Sequence, residues 1–185
     1  MKYKFSYILV LIAILIGIVS ASAQEKKGLF AGFPEELTLS GYVDAYIAYD
    51  NDKGNSLRQF SVLAPYRDEF RINMAMIALR YNSKLIRGNV ALQFGDIPKL
   101  NWPQAPNEYL QFIQEANIGV SPYKNSWIDA GYFLTHIGGE GVIPKYNFLT
   151  SVTLLTYYEP IYQSGIKYSY SGKKFYTSLM LLNGY

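Results

Sequence analysis

Apolar and polar residues alternate with period two along most of the chain, the spacing of strands that present one wet and one apolar face. In TLSGYVDAYIAY, residues 38–49, Leu39, Val43, Ala45, Ile47 and Tyr49 fall on one side, and Ser40, Tyr42, Asp44, Tyr46 and Ala48 on the other. The segment is longer than a typical globular strand and matches a tilted membrane strand of about 9–11 residues. A second strand is predicted over 69–81, with Arg71, Asn73 and Ala75 opposed to Phe70, Ile72, Met74 and Met76. Its pattern then slips, because Ile77, Leu79 and Tyr81 are apolar. A β-bulge near Met76 accounts for such a slip. In IRGNVALQF, 86–94, Ile86, Val90, Leu92 and Phe94 oppose Arg87, Asn89, Ala91 and Gln93. In the fourth strand, 112–120, Gln114, Ala116, Ile118 and Val120 oppose Glu115, Asn117 and Gly119. The fifth, 127–133, sets Ile128, Ala130 and Tyr132 against Asp129 and Gly131, and two more strands span 162–170 and 175–184.

The connections are as informative. Three are short (82–84, 121–126 and 171–174) and three are long (about 50–68, 95–111 and 134–161), in strict alternation. Outer-membrane barrels show this asymmetry, with short periplasmic turns and long extracellular loops. The apolar stretch FLTSVTLLTYY, 148–158, is assigned to the last long connection, because a strand there would break the alternation. The fold class that follows is all-β: an antiparallel transmembrane β-barrel of the outer-membrane type, with about seven strands visible.

The N-terminus bears on compartment. Lys2 and Lys4 precede an apolar run from Tyr7 to Val19, and Ala21-Ser22-Ala23 supplies small residues where a signal peptidase reads. Residues 1–23 therefore read as a cleaved signal peptide, and residues 24–37 as a periplasmic lead-in. The run is shorter than the roughly 20 residues of a spanning helix. Removing it takes two of the 17 basic residues and leaves a net charge of +1, which implies no nucleic-acid partner. No cysteine is present, so this exported chain does not rely on disulfides. Of its 18 tyrosines, 16 follow the signal, a content suited to membrane–water interfaces.

One strand face collects Asp44, Arg71, Arg87, Glu115 and Asp129, to which Lys167 adds. These six are candidate pore-lining residues, nearly balanced in sign, and imply weak ion selectivity. A solvated outer face is the plainer alternative; in a narrow closed barrel they would pair as a structural core instead. The chain's only histidine, His136, sits in HIGGEG beside Glu140. Two ligands fall short of a zinc site, and no nucleophile lies at a catalytic spacing, so neither metal nor cofactor is expected and the chain is read as no enzyme. The glycines permit sharp turns. Gly138, Gly139 and Gly141, with His136, Glu140 and Lys145, are thus candidates for a loop folding back into the barrel mouth as a constriction; an ordinary loop packed on the rim is the competing view. Tyr49, Tyr81, Phe94, Trp127, Tyr162, Tyr168, Tyr170 and Tyr176 are candidates for aromatic girdles, although tyrosine is favoured in any strand. Trp102, in NWPQAPNEY, reads as local packing in a loop, with sugar stacking as the sharper alternative.

Four stretches in order, SGYVDAYIAYD (40–50), RGNVALQFGD (87–96), IQEANIGV (113–120) and WIDAGYFLTHIGGEGVIPKYN (127–147), together with the tail from Tyr157, resemble the OmpL-like β-barrel porins of Gram-negative outer membranes. The resemblance covers nearly all of 38–185. Family members carry a Pro-Tyr-x-x-Gly stretch, into which this chain inserts Ile161 after Pro160. The resemblance implies an outer-membrane porin passing small hydrophilic solutes, with outer-membrane lipid around it and homo-oligomerisation left open. A structural or adhesive barrel with a filled lumen is the alternative. Members are about twice as long, and seven strands are an odd number, so the chain is read as the N-terminal part of a larger barrel. The competing view of Tyr185 as a terminal aromatic is weakened by Asn183, which interrupts the alternation.

Overall fold

The computed structural model describes residues 32–51, 57–58, 63–102, 108–149 and 152–183, the side chain of residue 108 excepted. The signal segment, most of the lead-in and Tyr185 lie outside the described residues. Among the described residues seven strands form one sheet in sequence order: β1 (Leu37–Ile47), β2 (Phe70–Asn82), β3 (Ile86–Phe94), β4 (Ile113–Val120), β5 (Ser126–Leu134), β6 (Tyr162–Ser171) and β7 (Tyr176–Leu182). Every neighbouring pair is antiparallel. Among the described residues β1 and β7 share no ladder, so the sheet is open, an incomplete barrel. No described helix is long and apolar enough to cross a membrane.

The expected alternation of short and long connections is present. Short links close β2 to β3, β4 to β5 and β6 to β7, and Asn125 takes φ 64 to make the second of these turns. The 95–112 connection holds a short helix, α1 (Asp96–Asn101), and a 3-10 turn, Glu108–Phe112. The described part of the 135–161 connection holds two 3-10 turns, Pro144–Tyr146 and Leu154–Tyr158. The described part of FLTSVTLLTYY thus contains no strand.

Two bulges correct the expected faces. On β2, Asp44 pairs with Met74 and Ala45 with Ile72, so Asn73 is the extra residue. The slip lies at Asn73, ahead of Met76. A bulge lets two successive side chains share a face, and both Asn73 and Met74 are buried. Met74 and Met76 therefore lie with Asp44 and Tyr42, opposite Phe70 and Ile72. The second bulge is on β4, where Ala91 pairs with Glu115 and Leu92 with Ile113. Gln114 turns onto the Glu115 face, 1% exposed, against the simple alternation. Neither deviation is visible in apolar periodicity, because Asn73 and Gln114 fit either parity until the pairing is known.

Two glycines hold strands close together. Gly131 (φ 132) and Gly165 (φ 151) face each other across β5 and β6. A Cβ at Gly131 would overlap the Ala116 carbonyl, and one at Gly165 the Leu181 carbonyl. Both the backbone angle and the space demand glycine there.

Candidate functional site

The sheet's two faces have opposite character. One carries Val43, Ile47, Ile77, Leu79, Val90, Leu92, Ile118, Ile166, Leu179 and Leu181, all exposed; Leu181 reaches 77%. An exposed apolar surface this extensive is foreign to a soluble monomer. Aromatic residues bound the aliphatic zone. Phe70, Phe94 and Phe112 lie toward the long connections, and the Phe94 and Phe112 rings are 5.4 Å apart. Toward the short turns lie Tyr81, Tyr168 and Tyr170, with Phe175 packed on Tyr170 at 5.7 Å.

The opposite face is polar and charged, and all six candidate lining residues occupy it. Strand register places Arg87, Gly119, Asp129 and Lys167 at one level across β3 to β6. Arg87 reaches over Gly119 to Asp129 in a bidentate contact, Nε–Oδ1 2.6 Å and Nη2–Oδ2 2.5 Å. Lys167 Nζ lies 4.0 Å from the same carboxylate. A Cβ at Gly119 would overlap the Asp129 carboxylate, so the missing side chain is what lets the pair cross the strand between them. One level up, Arg80, Asn89 and Asn117 align, and Asn89 Nδ2 donates to Glu115 at 2.6 Å. Above these, Gln114 Nε2 donates to Gln93 Oε1 at 3.1 Å, and Asp44 accepts from Asn73 Nδ2 at 2.7 Å. At the loop end Arg71 binds Asp96 of α1 at 2.7 and 2.8 Å, binds Glu69 at 2.8 Å, and stacks over Tyr66. Tyr46 Oη donates to the same Asp96 at 2.8 Å. Burial pushes the Asp96 carboxyl up, but hydrogen bonds from Arg71 and Tyr46 outweigh it and hold the group below its ordinary value.

The connections fold back over this charged face. Ile143 and Trp102 join Leu63, Ile97 and Met74 in one buried cluster, with Tyr42, Met76 and Val142 packed against it. Lys145 Nζ stands 4.9 Å over the Tyr42 ring and 4.8 Å over that of Tyr146. Glu140 turns within its own loop, accepting from Thr153 N at 2.7 Å and Thr156 Oγ1 at 3.4 Å. His136 Nδ1 is 2.7 Å from Gln163 Oε1. Gly138 has φ +90, and a Cβ there would overlap the Glu159 carboxylate; Gly139 and Gly141 have open space around them. Among the described residues no group of three or more His, Cys, Asp or Glu could hold a metal.

The aromatic candidates divide. Tyr81, Phe94, Tyr168 and Tyr170 share the parity of the apolar face, and Tyr49 is 84% exposed just past β1. Trp127 has the parity of Asp129 and lies on the charged face, its ring 4.4 Å beneath the Arg87 guanidinium. Tyr176 pairs with Ser171 on that same face. Tyr162 is taken into loop packing, stacked on Trp102 at 6.2 Å and Tyr132 at 5.3 Å. Trp102 is 2% exposed, which removes it as a sugar platform; its Nε1 finds no acceptor among the described residues. Sequence reasoning missed Arg80, whose place on the charged face follows only from the Asn73 bulge. It also missed Asp96, assigned to a loop, and the rim residues Phe70 and Phe112.

A family model described as "Putative beta-barrel porin-2, OmpL-like" matches residues 36–185. No curated protein and no solved structure matches the chain.

Proposed function

The chain belongs to the OmpL-like β-barrel porin family, and from that membership we propose that it lets small hydrophilic solutes diffuse passively across the outer membrane. The observation that carries the reading is the polarity of the sheet. Its exposed face is aliphatic between aromatic rims, and its other face holds Asp44, Glu115, Arg87, Asp129 and Lys167. A soluble barrel buries its apolar face and wets the other; a membrane barrel reverses this. The charged face is then the lumen wall, and Tyr81, Phe94, Tyr168 and Tyr170 face the headgroup regions. The long connections are extracellular, and the one carrying Glu140 and Lys145 narrows the passage. Arg87, Lys167 and Arg80 set the lumen charge near the periplasmic end, with Asp44 and Glu115 farther up. Residues 1–23 export the chain and are then removed.

A structural barrel with a filled lumen is the second reading, favoured by the packing of Ile143 and Trp102 against Met74 of the wall. Planar-bilayer recording on the full-length protein decides between them. Stable open-channel steps support the pore. Silence from correctly folded, heat-modifiable protein supports the filled barrel and overturns the diffusion reading.

A further inference from the structure

A cavity of about 520 Å3 lies between the 135–161 connection and the charged sheet face. Its size falls in the roughly 300–1,000 Å3 range of small-molecule sites. The sheet wall contributes Met76, Arg80 and Glu115; the connection contributes Glu140, Ile143 and Glu159. Further aliphatic and aromatic side chains, among them Val142, Tyr157 and Ile161, make the lining largely apolar.

Its charges are not balanced. Three carboxylates, Glu115, Glu140 and Glu159, face a single guanidinium, Arg80, and within the described residues none of the four is in an ion pair. Arg80 and Glu115 are linked through Asn89, which accepts from Arg80 Nε at 3.4 Å and donates to Glu115 at 2.6 Å. The remaining excess of negative charge comes from the connection. Glu159 is seated by Gly138, whose φ of +90 and lack of a side chain leave room for the carboxylate. Carboxylates beside apolar walls attract a cation more strongly than they would in open water. An anion would have only Arg80 to hold it, and a neutral polyol would leave the carboxylates unmatched.

We propose that this cavity is a binding site for a small organic cation, a protonated amine carried on an apolar body. Its ammonium lies toward Glu159 and Glu140, and its apolar part packs on Met76 and Ile143. Passage of that cation through the barrel rests on the porin reading; binding does not.

Titration calorimetry on the full-length protein in lipid nanodiscs tests this with tyramine, and with 3-(4-hydroxyphenyl)propionate as an anion of similar size and shape. We expect saturable tyramine binding that weakens with salt, and none of the anion. Glu159→Gln should weaken tyramine about tenfold, as should Glu115→Gln on the strand wall, which leaves the connection intact. Absent tyramine binding, equal binding of the anion, or unchanged affinity in both variants overturns the proposal. Bilayer recording on the same preparation separates the two readings. Channel steps without tyramine binding overturn the site alone. Tyramine binding without steps supports the site and overturns the pore alone.

Discussion

Replacing Asp129 with asparagine keeps its shape and removes its charge. Its carboxylate side chain is 2% exposed, while Arg87 is 32% and Lys167 21% exposed. The variant leaves two cations facing each other at one level, and the net charge of the trio rises from +1 to +2. Net hydrogen bonds to charged groups contribute about 1.5–3 kcal/mol each, and breaking a fully buried pair costs about 3–5 kcal/mol. The exposure of Arg87 scales this down through solvent screening, so we expect about 1–2 kcal/mol lost. Arg87→Gln leaves the buried carboxylate with only Lys167 at 4.0 Å and should cost slightly more. The double variant removes both halves of the pair and should lose less than the sum, with a coupling of about 1 kcal/mol. Urea unfolding in lipid vesicles reads this by tryptophan emission, since Trp127 lies 4.4 Å beneath the Arg87 guanidinium. Strictly additive losses would show that the pair, for all its geometry, does not hold β3 to β5 across Gly119.

Gly131→Ala places a Cβ against the Ala116 carbonyl at φ 132, so folded yield should fall sharply in a heat-modifiability assay; normal yield would mean that β4 and β5 can separate freely. Ile77→Arg puts a charge at the centre of the apolar face and should cost about 2–4 kcal/mol in lipid-vesicle unfolding if that face meets hydrocarbon; a change near zero would put it in water. The Asp96 carboxyl is held below its ordinary value, so its contribution to α1 docking is present above the unfolded pKa of about 3.9 and is lost as pH falls through the lower folded value. Hydrogen exchange at 96–101 should therefore accelerate only below about pH 4, and Asp96→Asn should abolish that pH dependence. Ile143→Asp should detach the connection from Met74 and Trp102 and raise single-channel conductance; an unchanged conductance would place this loop outside the solute path.

Alternation with period two set the strands and the sorting of connections by length, because a half-buried strand must place its side chains by turns on two faces. It correctly assigned Arg87, Asp129 and Lys167 to one face, since β3, β5 and β6 run without an extra residue. It set Trp127 among rim candidates by ring chemistry, although its parity with Asp129 already put it on the charged face. What lay beyond periodicity was every position that depends on pairing across distance. The bulge residues Asn73 and Gln114 are polar and read either way, and only the neighbouring pairs Met74–Asp44 and Glu115–Ala91 settle which face they take. Arg80 inherits its face from that same displacement. Asp96 meets Arg71 and Tyr46, and Ile143 meets Met74, through contacts that separate residues far apart in sequence, where local propensity carries no signal. The chain's order of apolar and polar residues determined an antiparallel barrel sheet; tertiary packing decided which charges meet, which glycines are obligatory and where the long connection rests, because those depend on register and distance.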